Sequence, residues 1–462
     1  MVIAGLALTA GGGLALLSDG KLELSVPFSH LGQAAGADAT GVDATGVDRG
    51  LGLAAEVLAA QGMTPGDLGQ WVLDGGPGDG ELTVGGMTAG YVNYPHAAGQ
   101  VAAAYCTSPF AASGTGAAVL AWDRGGSPLL YQVGADGQVM PGVTALSLAD
   151  AMRNRGADTL AGAGALAYAD ALAGEDWSLA ELLAEQAAAA MRDRLGPGPH
   201  QLCVTGDTAL HPAWATALRD YPLIGAVWIP PCPDGSGWAL GACCLHAAGG
   251  AGLRAVQWDA RLGLPLDRTP HPAPGWAPSP CRLEELARLL HHSGEPAVVL
   301  HGRAALGPRA LGMRSILAAA TSPEIRQRLA AATGLPQDRP VPALCLEQEA
   351  AEVFEPGSAD PYRAYLHRVR PAWRDRVPAV CGPDGTARVQ TVSATDDARL
   401  AEILREYQVW SGVPVLCALD AAGQDGAPFR SAGAAMEWGH LDTVWSDGIL
   451  YRRSPDRHGG AR

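Results

Sequence analysis

The feature that most limits the fold of this chain is an alternation of short apolar runs with helical runs in its middle section. Strand-like runs at 201–205 and 225–229 are each followed by a loop and then by a helical run, at 212–220 and 238–247. Repeated strand–helix alternation places helices on the faces of a sheet, so this section predicts an α/β layered architecture. Because the chain has 462 residues, it has room for about two or three domains.

Two strand–turn–strand units precede this alternation. Their apolar runs flank turn residues, a pattern that is typical of β-hairpins, and the second turn begins with Asp123. The predicted strands cover 2–8, 14–17, 21–26, 117–122 and 129–133. Alanine-rich helices are predicted at 97–106, 158–173 and 177–194.

Prolines crowd the stretch 264–281, which has no clear periodicity and therefore predicts a linker. We expect a first domain over 1–263 and a second α/β domain over 282–453, followed by a polar tail at 454–462. The second domain opens with a predicted helix and a predicted strand, at 282–293 and 296–301.

The charge of the chain limits its partners. The formal net charge is −15, which repels nucleic-acid phosphates, and no apolar stretch reaches the roughly 20 residues of a membrane span. The nine cysteines include no CxxC pair and are too thinly spread for a disulfide framework. We therefore expect a cytoplasmic protein with neither a nucleic-acid nor a membrane partner. Lys21 is the only lysine, so anions must be bound mainly by arginine side chains and backbone N–H groups.

An arginine-rich and glycine-rich motif follows the predicted strand at 296–301. It reads Gly-Arg-Ala-Ala-Leu-Gly-Pro-Arg-Ala-Leu-Gly-Met-Arg-Ser-Ile-Leu over 302–317. Its glycines let the backbone approach a ligand closely, and Arg309 and Arg314 can each hold an oxyanion through two donors. The motif predicts a site for a small phosphorylated substrate. A surface loop with helix-capping arginines is the alternative that spacing alone leaves open.

A second polar cluster lies at 383–392, where an Asp-Gly turn precedes a β-branched strand. Asp384 belongs to the turn, and Arg388 and Gln390 are two residues apart, so they share one face of the strand. Two polar side chains on one face of such a strand indicate a lined pocket.

The motifs at 302–317 and 383–392 strongly resemble the C-terminal half of the NodU/CmcH carbamoyltransferase family. Similarity at 105–110 and 237–242 extends the resemblance over the N-terminal half. The resemblance implies an ATPase-type fold of the actin and sugar-kinase class, followed by a YrdC-type α/β domain. It also implies an ATP-dependent O-carbamoyltransferase that converts carbamoyl phosphate to carbamoyl-adenylate and carbamoylates a hydroxyl of a small natural product. Such an activity belongs to secondary-metabolite and antibiotic biosynthesis.

The resemblance also implies roles for individual residues. Those expected to take part in catalysis are Arg309, Arg314, Arg388 and Asp384. Those expected to bind substrate are Arg303, Ser315, Gln390 and Arg339. ATP, together with Mg²⁺, is expected at Asp123, Gly125 and Gly206.

A metal site is implied by the resemblance in incomplete form. The family places two histidines four residues apart on a helix, with an aspartate before a glycine-rich helix. His96 matches the first histidine, Gln100 stands at the second, and Asp234 lies one residue from the expected acid. Glutamine is a poor ligand for iron, so iron is doubtful, and His96 and Asp234 are the candidate metal ligands. A hydrogen-bonded His96 without metal is the alternative.

Other family residues are replaced in this chain. The polar residues of the first hairpin become Ala10, Gly11 and Gly13, and Ala305 and Gly382 stand where the family has a glutamate and a histidine. An Asn-Thr-Ser-Phe-Asn stretch has become 418–422. Two alternatives to the full enzyme therefore stay open. One is a non-catalytic nucleotide-binding scaffold for a biosynthetic partner enzyme, and the other is a half-enzyme that only forms carbamoyl-adenylate.

Overall fold

The computed structural model describes residues 1–8, 11–31, 44–75, 78–123, 126–144, 177–336 and 339–454. The chain divides into two compact units. The first unit comprises Met1–Gly263 and Leu306–Pro308, and the second comprises Leu264–Ala305 and Arg309–Arg462.

The first unit begins with a six-stranded sheet. Its strands are β1 (Val2–Ala7), β2 (Gly13–Ser18), β3 (Lys21–Pro27), β4 (Gln70–Asp74), β5 (Gly80–Val84) and β6 (Met87–Tyr94). Strands β1 to β3 form an antiparallel meander, and β4 and β6 then extend the sheet in parallel on the other side of β1. The sheet order is β3-β2-β1-β4-β6-β5. The predicted opening hairpin is confirmed.

A second sheet in the same unit repeats this plan. Its strands are β7 (Ala117–Ala121), β8 (Leu129–Val133), β9 (Val139–Thr144), β10 (His200–Thr205) and β11 (Ile224–Trp228), in the order β11-β10-β7-β8-β9. Strands β7 to β9 again form an antiparallel meander, and β10 and β11 again extend the sheet in parallel beside its first strand. Two sheets with the same connectivity define the actin and sugar-kinase class of ATPase-type folds, as the sequence resemblance implied.

Six helices belong to the described part of the first unit. They are α1 (Ala44–Ala60), α2 (His96–Cys106), α3 (Pro109–Ala112), α4 (Trp177–Leu195), α5 (Pro212–Asp220) and α6 (Trp238–Ala248). Helices α2 and α6 pack closely, because a Cβ at Gly241 would lie only 2.0 Å from the carbonyl oxygen of Gly99. This contact fixes the position of the start of α2, where His96 lies. The helix predicted at 158–173 falls outside the described residues.

The second unit contains a mixed ten-stranded sheet. Its strands are β12 (Trp276–Pro280), β13 (Ala297–Leu300), β14 (Arg314–Ala319), β15 (Ala343–Leu346), β16 (Phe354–Glu355), β17 (Leu366–Val369), β18 (Thr386–Val392), β19 (Val415–Asp420), β20 (Thr443–Ser446) and β21 (Ile449–Arg453). Their order is β12-β21-β20-β13-β14-β19-β15-β18-β17-β16. The helices of this unit are α7 (Leu283–Ser293), α8 (Glu324–Thr333), α9 (Glu347–Val353), α10 (Ala398–Ser411) and α11 (Ala432–Trp438). Buried, mostly aliphatic side chains of both the strands and the helices form its hydrophobic core.

The stretch predicted as a linker, 264–281, differs from that prediction. It belongs to the second unit, and its end forms β12, which pairs antiparallel with β21. Prolines are tolerated there because β12 is the edge strand of the sheet. Of the predicted tail, Ser454 is described, and its N–H donates to the carbonyl oxygen of Gly275. Within the described ranges, no helix combines the length and apolar character that crossing a bilayer requires.

Candidate functional site

The first unit brings two carboxylates and an imidazole together at the ends of its strands. Asp74 is the last residue of β4, Asp123 follows β7, and His96 begins α2. His96 Nδ1 lies 2.7 Å from Asp74 Oδ2, and its Nε2 lies 3.5 Å from Asp123 Oδ2. Gln100, one helical turn further along α2, donates its amide N–H to the same Asp123 oxygen. We call Asp74, His96, Gln100 and Asp123 the imidazole cluster.

The imidazole cluster holds a proton on His96. Burial opposes the charged ring, but hydrogen bonds and charge from Asp123 and Asp74 outweigh it and raise the pKa of His96 to about 9. Burial raises the pKa of Asp74 as well, although its bond to His96 opposes that change. The edge of the Trp238 ring packs on His96 with the ring centroids 4.0 Å apart. His96 is therefore a cation at neutral pH, and this cation is shared by two carboxylates.

The candidate metal ligands have contacts within the protein. His96 Nδ1 is hydrogen-bonded to Asp74 Oδ2, and its Nε2 lies 3.5 Å from Asp123 Oδ2. Asp234 caps a short helical turn by accepting the N–H of Ser236 at 3.2 Å. Across the described ranges, no group of three or more His, Cys, Asp or Glu side chains is placed to hold a metal. His96 is hydrogen-bonded to Asp74 in the structure, and its role as a metal ligand stays a prediction.

A glycine turn follows β10 next to Asp123. Gly206 has a φ of 94°, and a Cβ there would lie 2.3 Å from the carbonyl oxygen of Trp122. Only glycine allows this approach. The same Cβ would lie 2.9 Å from Asp123 Oδ1, and the N–H of Asp207 donates to that oxygen at 3.4 Å. The structure thus brings the predicted nucleotide residues Asp123 and Gly206 together, while Gly125 lies outside the described residues.

In the second unit, several predicted residues converge on the loop 309–312, which we call the arginine loop. Arg309 is only 6% exposed, and its Nη1 donates to the carbonyl oxygen of Tyr362 at 2.9 Å. Gln390 donates to the carbonyl oxygen of Leu311 at 3.1 Å, and the hydroxyl oxygen of Ser315 accepts the N–H of Gly312 at 3.1 Å. These bonds hold a strained backbone, because Leu311 has a φ of 48°.

Arg314 has a different place from the one that the motif predicted. Its side chain is buried, and Nη1 donates to the carbonyl oxygens of His301 and Met313. Nη2 donates to the carbonyl oxygens of Gly302 and Leu264. Burial lowers the pKa of Arg314 to about 10, so it stays charged at neutral pH. Its terminal donors are used in fixing the loop before β14, which corrects the prediction that Arg314 grips an oxyanion.

The remaining predicted residues are more dispersed. Asp384 accepts the N–H and hydroxyl of Thr386 and so shapes the turn before β18. Arg388 and Gln390 lie on one face of β18 as predicted, with Arg388 half-buried. Arg303 is half-buried and Arg339 is exposed.

Three important residues have no counterpart in the predicted site. They are Asp74, Arg363 and Asp420. Arg363 is 6% exposed, and its Nη2 contacts both carboxylate oxygens of Asp420, at 2.9 and 3.1 Å. Asp420 ends β19 and lies within the stretch 418–422. The difference between this stretch and the family pattern was the one sequence feature that could have pointed to Asp420. Arg363 and Asp74 have no local motif that could have identified them.

The first unit thus carries the repeated sheet plan, and the second unit carries the arginine loop. The family model described as Carbamoyltransferase C-terminus matches residues 287–425, and the one described as Carbamoyltransferase N-terminus matches residues 86–153. The chain belongs to the NodU/CmcH carbamoyltransferase family, and the resemblance seen in the sequence is confirmed.

Its relatives include nodulation proteins and a cephem O-carbamoyltransferase. Nodulation protein U of Sinorhizobium fredii is 36% identical over 83% of this chain and 81% of the relative. Nodulation protein U of Rhizobium tropici is 32% identical over 98% of this chain and 96% of the relative. The 3'-hydroxymethylcephem-O-carbamoyltransferase of Streptomyces clavuligerus is 32% identical over 60% of this chain and 53% of the relative. Among solved structures, the activator of the 2-hydroxyisocaproyl-CoA dehydratase from Clostridium difficile with bound ADPNP aligns with a TM-score of 0.35 at 12% identity, over 54% of this chain and 96% of that chain.

Proposed function

We propose that this carbamoyltransferase is ATP-dependent, uses carbamoyl phosphate through carbamoyl-adenylate, and carbamoylates a hydroxyl group of a small natural product. The observation that carries the proposal is the arginine loop. There the guanidinium of Arg309 is buried, and a network of side-chain bonds fixes the strained backbone. Such preorganisation suits a compact dianion, which needs donors that do not have to reorganise when it binds. The cephem relative acts on an oxygen according to its name, which favours a hydroxyl acceptor.

The proposed chemistry has three steps. Water cleaves carbamoyl phosphate to carbamate and inorganic phosphate. A carbamate oxygen then attacks the α-phosphorus of ATP, so that pyrophosphate leaves and carbamoyl-adenylate forms. Finally the acceptor hydroxyl attacks the carbamoyl carbon, AMP leaves, and the hydroxyl proton passes to a base. Adenylation is needed because carbamate alone has no good leaving group.

The residues divide between these steps. We assign the phosphorylated donor to Arg309 and Arg388, with Gln390, Ser315 and Arg314 holding the loop in place. We assign the nucleotide side of the transfer to Asp123 and the Gly206 turn. ATP enters as its Mg²⁺ complex. A charge-assisted contact of this kind contributes on the order of 1.5–3 kcal/mol.

The test is pyrophosphate release by the full-length protein with ATP and carbamoyl phosphate. We expect release well above a heat-inactivated control, and we expect Arg309→Ala to lower it at least 100-fold. Arg405→Ala serves as the matched control, because Arg405 is exposed on α10. Absence of pyrophosphate in the unchanged protein would overturn the proposal.

The same assay separates the alternatives. A scaffold releases no pyrophosphate but still melts at a higher temperature with ATP. A half-enzyme releases pyrophosphate and leaves every added alcohol unmodified, which mass spectrometry of the acceptor detects.

A further inference from the structure

A carboxylate of the chain itself lies against the arginine loop. Asp420 Oδ1 accepts the backbone N–H of Ala310 at 3.0 Å, and both of its oxygens accept from Nη2 of Arg363, at 3.1 and 2.9 Å. One backbone N–H and one guanidinium form the donor set that proteins use for carboxylate and phosphate oxygens alike. Asp420 therefore occupies a position where an external oxyanion could be held.

Arg363 has an unusual backbone conformation and an unused hydrogen-bond donor. Arg363 has a φ of 57°, a left-handed conformation that is costly for any residue with a side chain. The N–H of its Nε is buried and has no hydrogen-bond partner among the described residues. A buried donor without a partner is unfavourable, so Arg363 still has hydrogen-bonding capacity that Asp420 does not use.

The two partners differ in their exposure to solvent. The Arg363 side chain is 7% exposed, whereas the Asp420 side chain is 40% exposed. Water can hydrate Asp420 when it leaves the pair, whereas Arg363 stays buried. A buried guanidinium that has lost its partner needs another anion. The exposed carboxylate is thus the replaceable member of the pair.

We propose that Arg363 and the N–H of Ala310 form a binding site for the phosphoryl group of a ligand, and that Asp420 is an internal anion which this group displaces. The inference rests on the proposed function only in taking the ligand to be the phosphorylated donor. A phosphoryl dianion presents more oxygens than a carboxylate and can also reach the unused Nε. The internal anion lowers the affinity of the site for phosphate and keeps Arg363 compensated when no ligand is bound.

Inorganic phosphate is the probe, and isothermal titration calorimetry on the full-length protein is the measurement. We expect Asp420→Asn to bind phosphate at least 10-fold more tightly than the unchanged protein. Asp375→Asn removes the same charge from an exposed position and should leave the affinity within twofold. Adding Arg363→Gln to Asp420→Asn should abolish the gain, since the arginine is the group that the extra phosphate would contact.

Two outcomes would overturn the inference. One is an Asp420→Asn affinity within twofold of the unchanged protein, and the other is a gain that persists when Arg363 is also replaced. If circular dichroism shows that Asp420→Asn does not fold, the single variant Arg363→Gln tests the inference. The proposed site requires that this variant bind phosphate more weakly than the unchanged protein. Unchanged phosphate affinity in that variant contradicts the site.

The pyrophosphate assay distinguishes a failure of this inference from a failure of the proposed function. Pyrophosphate release without an affinity gain in Asp420→Asn contradicts only the internal anion. An affinity gain without pyrophosphate release contradicts only the proposed reaction.

Discussion

The two units hold their charged groups in opposite ways. In the first unit, the His96 cation lies between the carboxylates of Asp74 and Asp123, and its side chain remains 36% exposed. In the second unit, Arg314 is buried and donates to four backbone carbonyl oxygens. A cation held by carbonyl groups keeps its charge but has few donors left for a ligand. Within the arginine motif, Arg314 therefore serves to hold the backbone in place.

The largest effect is expected from removing the buried arginine. Arg314→Met leaves several buried carbonyl groups without a donor and should lower the free energy of unfolding of the second unit by about 3–5 kcal/mol. Urea denaturation measures the change, and Arg405→Ala on the surface of α10 should cost less than about 0.5 kcal/mol. A small loss for Arg314→Met would mean that the guanidinium is not needed to hold the loop.

The next effect concerns the glycine turn beside Asp123. Gly206→Ala combines a positive φ with a Cβ only 2.3 Å from a carbonyl oxygen, whereas Gly196 has a similar φ of 88° and open space around it. We expect a cost of about 1 kcal/mol for Gly196→Ala from the φ alone, and about 2–3 kcal/mol more for Gly206→Ala. Thermal unfolding compares the two variants. Equal costs would show that the close approach at Gly206 is unimportant.

The imidazole cluster should make the stability of the first unit depend on pH. The pKa of His96 is about 9 in the folded protein and 6.5 in its ordinary state. Its contribution is therefore fully present below about pH 6.5 and is lost as the pH rises through about 9. After allowance for the exposure of the ring, we expect a loss of about 1–2 kcal/mol.

Denaturation at a series of pH values measures this dependence. His96→Gln should remove the decrease, and Asp74→Asn should reduce it. His271→Gln, on an exposed segment, should leave it unchanged. A decrease that is unaffected by His96→Gln would assign the pH dependence to other groups.

An effect of about the same size as the pH dependence is expected at the arginine loop. Ser315→Ala removes the acceptor of the Gly312 N–H and should cost about 1–2 kcal/mol, because the site is buried. Ser293→Ala removes a hydroxyl that makes two exposed bonds and should cost less than about 0.5 kcal/mol. Hydrogen exchange of the Gly312 amide should be faster only in Ser315→Ala.

Local patterns predicted most of the elements and the location of the arginine loop. Hairpin β2–β3 follows from apolar residues around the turn at 18–20, and helix α2 (His96–Cys106) lies within one residue of its prediction. The arginine motif led to Arg309 and Ser315, and the polar cluster at 383–392 led to Gln390; the three residues meet around one loop. These predictions succeed because burial periodicity and glycine spacing act over a few neighbouring residues.

Tertiary structure alone decided which partner each charged group has. The sequence determined that the chain carries an arginine-rich motif, a hairpin acid at Asp123 and a histidine at the start of a helix. It did not show the repeated sheet order, which is a property of connections rather than of residues. Nor did it show that Arg363 meets Asp420, 57 residues further along the chain. The role of a charged side chain depends on the groups that surround it in space. Folding brings those groups from distant parts of the chain, so local sequence spacing does not identify them.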